Sequence, residues 1–251
     1  MKRKTLLFPL GLIVVWQALS FAGVIPSYKL PSPVEIVLGF KDLLTVGIPP
    51  GHLLYNHVLY SLYRVALGYV VASALAVPLG LLMGWSEGIL RMFRPVIEVV
   101  RPIPPLAWIP IAIVWFGIGI KSAAFIIFLG VFFPILLNTI SGVLSINPIL
   151  VEAARTLHAR EKHILFKVLF PGAIPSIFLG MRVGVGIGWM TLVAAEFTGV
   201  REGYGLGYMI MTARDIQRPD EILAGMLLIG FVGLGIDMGL RAIEARVIRW
   251  R

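Results

Sequence analysis

Few side chains in this 251-residue chain could do chemistry, and their spacing argues for ion or solute handling rather than bond making. Three acids, Glu98, Glu196 and Asp237, lie within or beside long apolar runs. Ionisable groups at such depth mark ion or substrate paths by default. Glu196 and Asp237 fall near the ends of their runs, so a solvated or structurally paired role stands beside the functional one. The four histidines form two pairs, His52 with His57 and His158 with His163. Each pair is five residues apart, whereas two metal ligands on one helix face need three or four. No HExxH, Walker-type Gly-Lys-Ser/Thr or Gly-x-Ser-x-Gly pattern occurs, so neither a catalytic residue nor a metal ligand is assigned. Cysteine is absent, which excludes disulfides, thiol nucleophiles and thiolate metal sites.

The elements that position these groups are membrane elements. Hydrophobic residues make up 58% of the chain and charged ones 14%, a departure from soluble composition in the membrane direction on both counts. The 27 glycines and 17 prolines sit largely inside apolar runs, which transmembrane helices tolerate. A formal charge of +9 raises the question of nucleic acid. The cations, however, cluster between apolar runs instead of forming a stripe with aromatics. They read as topology signals, and no nucleic-acid partner is expected.

The expected class is an all-α membrane protein of about six spans in a single domain covering residues 1–251. Leu6 to about Phe21 is the first span, preferred to a signal peptide because no small-residue cleavage site follows it. Ser32-Pro33-Val34-Glu35 is a capping box with proline at the first helical position, opening a short amphipathic helix at the membrane surface or an ordinary packed connector. Tyr60 to Met83 is the second span, with Arg64 near its start and free to snorkel. Gly84 to Arg94 reads as a polar turn. Pro95 to Phe116 is a broken third span, because four prolines in eleven residues forbid one regular helix. Irregular backbone at membrane depth must line protein or a water-filled cavity. Glu98, Arg101, Pro104 and Pro105 are therefore pathway candidates; the alternative is that Glu98 and Arg101 neutralise each other.

Gly117 to Lys121 is a tight turn, and Ser122 to Val143 the fourth span. Phe178 to Phe197 is the fifth, with Gly180, Gly184 and Gly188 spaced for close helix approach. It carries Arg182, read either as a cavity cation suited to an anion or as an interfacial arginine. Glu196 completes the pathway candidates. Thr198 to Glu221 reads as a glycine-rich loop or re-entrant segment, Ile222 to Leu240 as the last span, and Arg241 to Arg251 as a basic tail.

Between the fourth and fifth spans lies the only long polar segment flanked by apolar runs, residues 144–177. Pro148 and the helix formers from Glu152 to Leu157 predict a short exposed helix there, a handle for another protein. With six spans, about 13 of the 22 Lys and Arg fall on the side of both termini and this loop, against about 6 opposite. That places the termini and the loop in the cytoplasm. A pathway-like broken span, few buried titratable groups and an exposed cytoplasmic handle favour a separate motor over an ion gradient. A stand-alone ion-coupled carrier using Glu98 or Asp237 is the alternative.

Glu152-Ala153-Ala154, followed by Val168-Leu169-Phe170-Pro171, resembles the Glu-Ala-Ala loop of ABC importer permease subunits. The fuller resemblance is to the nitrate/sulfonate/taurine-type permeases. It runs through Leu30-Pro31-Ser32-Pro33, Ser61-Leu62-Tyr63-Arg64-Val65, Arg101-Pro102-Ile103-Pro104-Pro105-Leu106-Ala107-Trp108-Ile109-Pro110 and Ala194-Ala195-Glu196 to Trp250-Arg251. The resemblance implies that Glu152, Ala153, Ala154, Arg155, His158 and Pro171 belong to two coupling helices that insert into a cytoplasmic ABC ATPase subunit. It also implies an extracytoplasmic solute-binding protein, a second permease copy, and a place in the inner (cytoplasmic) membrane among its lipids. ATP and Mg would reside in the ATPase, and this chain would bind no cofactor. The solute implied is small and anionic. Two departures stand out: the family's glycine six residues after the glutamate is His158, and its leucine before the proline is Phe170. Histidine tolerates the left-handed conformation better than most residues, so the turn is expected to survive.

Overall fold

The structure, a computed structural model, describes residues 2–197 and 203–248, with side chains from Leu7 onward. Residues 198–202 of the glycine-rich connection and the closing Trp250-Arg251 lie outside the described residues, as do the side chains of Lys2, Arg3 and Lys4. Every described regular element is helical. Leu54–Trp85, Ile120–Leu144, Glu161–Phe197 and Pro219–Val247 are long and apolar enough to cross a membrane. Taken together as one span, the bent pair Glu87–Val100 and Pro105–Phe116 brings the number to five, and Leu7–Phe21 is a shorter apolar helix. The chain divides into two compact units, residues 1–61 with 196–232, and residues 62–195 with 233–251.

In the first unit, α1 (Lys2–Phe21) is followed by α2 (Pro33–Thr45). The expected capping box is present: Glu35 donates its N–H to Ser32 Oγ at 3.2 Å, and Ser32 donates its N–H to Glu35 Oε2 at 2.6 Å. Two donors that the helix start would leave unsatisfied are thereby paired. α2 buries Ile36, Gly39 and Leu43, with Gly39 close against the backbone of Asp220. The connection expected to be a loop instead contains a helix, α10 (Leu206–Asp215), which buries Leu206, Met209, Ile210 and Ala213. Its apolar positions recur at helical spacing, a signal masked by the glycines before it. α11 (Pro219–Val247) starts with Asp220 and Glu221 in its first turn, the favourable end of the helix dipole for acids. Arg218 Nη2 lies 2.9 Å from each of Asp42 Oδ2, Asp220 Oδ2 and Glu221 Oε1, tying α2 to the start of α11. Hydrogen bonds to Asp220 and Asp42 raise the Arg218 pKa further above its ordinary value.

In the second unit, α3 (Leu54–Trp85) starts six residues before the expected second span. That shift carries Arg64 from the span's edge into the helix, where it is fully buried instead of snorkelling. The supposed polar turn from Gly84 to Arg94 is mostly helix: α4 runs Glu87–Val100, capped by Ser86 Oγ accepting from the Ile89 N–H at 3.5 Å. The pairs Arg91–Glu87 (2.6 Å) and Arg94–Glu98 (2.7 Å) stitch its exposed face. Pro95 is absorbed inside this helix, and the break falls later, at Arg101 to Pro104. Beyond it a 3₁₀ turn (Pro105–Trp108) leads into α5 (Ile109–Phe116), bent 83° from α4.

α6 (Ile120–Leu144) and α9 (Phe170–Phe197) form the packed centre of this unit. α9 starts eight residues before the expected fifth span. A Cβ on Gly180 would lie 2.8 Å from Asn138 Cβ and 2.9 Å from the Pro134 carbonyl oxygen, and one on Gly188 would lie 2.7 Å from Val131 Cγ2. The glycine ladder thus lets α9 approach α6 at backbone distance. By contrast, Gly186 has nothing within 4 Å of a built Cβ.

Gly180→Leu is expected to destabilise the protein by about 1–3 kcal/mol through overpacking, and Gly186→Leu to be tolerated. Thermal unfolding of the two variants in detergent checks this. A second expectation concerns pH. The backbone hydrogen bond from Ser32 lowers the Glu35 pKa below its ordinary 4.5. The cap is therefore at full strength above that value and is lost as pH falls through the depressed one. Amide exchange across Pro33–Thr45, corrected for intrinsic rates, should accelerate over that acidic window in the native protein and lose this pH dependence in Glu35→Gln.

Candidate functional sites: the cytoplasmic hairpin and the broken span

The polar segment after α6 folds as a helical hairpin. α7 (Pro148–Thr156) has proline at its first position and Asn147 at its N-cap, whose side chain accepts the Ile149 N–H at 3.0 Å. Its C-terminus closes in a Schellman motif: Ala159 donates to the Ala154 carbonyl at 3.0 Å, and His158 to the Arg155 carbonyl at 2.9 Å. His158 takes φ +57°, the left-handed conformation that the motif requires. The turn survives without glycine, as expected. α8 (Glu161–Ile164) then runs through a π turn at Leu165–Leu169 into α9. In that turn Phe170 donates five residues back to Leu165, a wider loop that eases the proline ring of Pro171 past the preceding carbonyls.

The hairpin has two faces. Ile164, Leu169 and Ala173 are buried with Leu81, Val143 and Ile177, and Val151 and Ala154 pack against that core. The other face is open: Glu152, Ala153, Ile149, Leu150 and Leu157 are exposed, Leu157 by 82%. The Glu152 carboxylate has no hydrogen-bond or ionic partner among the described residues. Arg155 behaves differently. Its guanidinium sits 5.6 Å from the Trp85 ring and 3.5 Å from Glu161, so it braces α7 against α3 and α8.

The pathway candidates separate in the same way. Arg182, 28% exposed, lies 3.5 Å from Asp237 and 3.3 Å from Glu244, while Arg241 holds Asp237 at 2.7 Å. Two arginines and two acids thus form a neutral cluster joining α9 to α11. Glu196 is fully buried; it accepts from Ser61 Oγ at 2.8 Å and from the Gly207 N–H at 2.8 Å. Ser61 in turn accepts the Leu206 N–H at 2.9 Å. Sequence reasoning missed Ser61: the acid and the hydroxyl together cap α10, which has no cap of its own. Glu98 pairs with Arg94, one turn back, and not with Arg101.

His57 lies in the first turn of α3 and is buried. One neutral tautomer satisfies both of its nitrogens, Nδ1 accepting the Gly205 N–H at 3.0 Å and Nε2–H donating to the His52 carbonyl at 3.2 Å.

Arg101, Pro105 and Trp108 remain together at the break, lining a cavity of about 300 Å³ with Leu129 and Phe133 of α6. A multi-span helical chain with a broken span at a cavity and a hairpin presenting an unpartnered face defines a membrane transport subunit. The comparisons with known proteins agree: the chain belongs to the family of binding-protein-dependent transport system inner membrane components, whose pattern matches residues 76–249. It is a permease subunit of an ABC importer. It is similar to a putative ABC transporter permease protein of Methanocaldococcus jannaschii, 44% identical over 95% of this chain and 88% of that one. The taurine transport system permease protein of Escherichia coli is 36% identical over 95% of this chain and 86% of its own length. In fold the chain resembles a chain of an inward-facing MetNI methionine ABC transporter, with a TM-score of 0.68, 21% identity, and coverage of 77% of this chain and 95% of that one.

His158→Gly is expected to leave the hairpin intact. His158→Val, a β-branched residue forced into left-handed φ, is expected to cost about 1–2 kcal/mol. Limited proteolysis between Arg155 and Lys162 checks the difference.

Proposed function

We propose that this permease is worked by a cytoplasmic ABC ATPase that grips the α7–α8 hairpin, with Glu152, Ala153 and Ala154 at the contact. One observation carries the reading: a hairpin built on its own buried core holds out an unpartnered carboxylate among exposed apolar side chains. Exposed apolar surface grouped around a carboxylate marks a docking face. Ala153 permits close approach there. Ala154, half-buried beneath it, lets the helix sit low on its own core. Arg155 and His158 act by holding the hairpin's shape, and Pro171 by setting the π turn that starts the next span.

In this reading ATP and Mg are held by the ATPase, and hydrolysis occurs there and not in this chain. The assembly comprises two permease copies, two ATPase subunits and an extracytoplasmic solute-binding protein. The permease sits among the lipids of the cytoplasmic membrane, with its termini and the hairpin on the cytoplasmic side, where its cations are concentrated. Residues 1–251 act as one permease domain, and 144–177 are its coupling loop. The solute is small and carries an anionic group, in keeping with the taurine, an aminosulfonate, named for one relative. The pathway is carried by Arg101, Pro104 and Pro105 at the broken span, while Glu98, Arg182 and Glu196 are engaged by neighbours. That engagement also weighs against a carrier driven by ions, which needs an acid free to exchange its charge.

Glu152→Lys is expected to abolish co-purification of the ATPase subunit while leaving membrane insertion and thermal stability unchanged. Wild-type co-purification by that variant would remove the hairpin from the docking role. In vesicles, uptake should continue after collapse of proton and sodium gradients as long as ATP is supplied.

A further inference from the structure

Several charges on the spanning helices stand in ion pairs. Arg182 is held by Asp237 and Glu244, Asp237 also by Arg241, and Glu98 by Arg94. Arg101 differs from these: among the described residues no carboxylate lies within ion-pair distance of it. It stands where α4 ends, and the backbone that follows supplies few helical hydrogen bonds, because Pro102, Pro104 and Pro105 lack donors. Its cavity of about 300 Å³ has no acid in its lining; Trp108, Phe133, Leu129 and Pro105 supply apolar walls. The opposite wall is the middle of α6, so the cavity lies well inside the span and not at its rim.

The Arg101 side chain is exposed at the break and so open to an anion, and its planar fork suits an oxyanion taken in two parallel hydrogen bonds. Walls of indole, phenyl and aliphatic surface around a single charged group are the usual makeup of a small-molecule pocket. We propose that Arg101 is the solute-binding cation of this permease, holding the oxyanion head of a small organic acid while Trp108 and Phe133 cover its apolar body. The assignment rests on the transport reading above and names the residue that would hold the oxyanion group of its solute. Arg182, the other arginine that sequence alone offered for this role, has its charge already neutralised.

The test uses the permease assembled with its ATPase and titrated with ethanesulfonate, following tryptophan fluorescence. Wild type should bind, Arg101→Gln should bind about tenfold more weakly or worse, and Arg101→Lys should recover much of the affinity by keeping the charge. Leu129→Trp, which fills the cavity without touching the charge, should weaken ethanesulfonate more than it weakens nitrate. Equal titrations by wild type and Arg101→Gln would overturn the assignment. So would a loss of affinity in both Arg101 variants accompanied by loss of the ATPase, which would make Arg101 a structural residue. Failure of the wild-type chain to hold any ATPase would sink the motor reading and leave the titration standing.

Discussion

In a bilayer the backbone has no water to bond, and that requirement governs this structure at every place where a helix stops. Each interruption comes with its own satisfaction. The start of α10 is capped by Glu196 and Ser61, reaching from the ends of two other helices. The return from α8 to α9 keeps its hydrogen bonds by widening to a π turn. Among the described residues, the bent pair of helices leaves regular geometry at Arg101 to Pro104, and there it borders a cavity. Irregular backbone is tolerated at such depth where it lines a cavity or is covered by protein.

The same solvent sorts the charges. An arginine and a carboxylate side by side in hydrocarbon cost far less than either alone, so pairing is the default and a lone cation is informative. The cluster of Arg182, Asp237, Glu244 and Arg241 joins α9 to α11 as structure. Glu196 accepts hydrogen bonds from a backbone N–H and from a serine hydroxyl. Two side chains that look functional because they are ionised, Arg182 and Glu196, are thus engaged in contacts between helices.

Much of this was legible in the sequence, for reasons that differ by element. The capping box at Ser32, the hairpin from Pro148, the proline-driven break and the glycine ladder on α9 are local signals, each contained within a few residues. The left-handed turn at His158 was legible for the same reason. What escaped was either hidden by composition or decided by tertiary contact. The polar beginning of α4 hid a helix stitched by i,i+4 pairs, and glycines masked the apolar periodicity of α10. No local rule could tell that Arg64 is buried, that Glu98 turns back to Arg94, or that Ser61 would meet an acid 135 residues away.

The closure of α7 by histidine in place of glycine bears on how motion passes along the chain. Glycine at that point would give the joint extra backbone freedom, and part of any push on the helix would be absorbed as a change of angle. Histidine restricts those dihedrals, and the pair of Schellman hydrogen bonds holds them further. A hairpin closed in this way is stiff at its elbow: a displacement applied at one end would be delivered to α6 and α9, the two helices it joins.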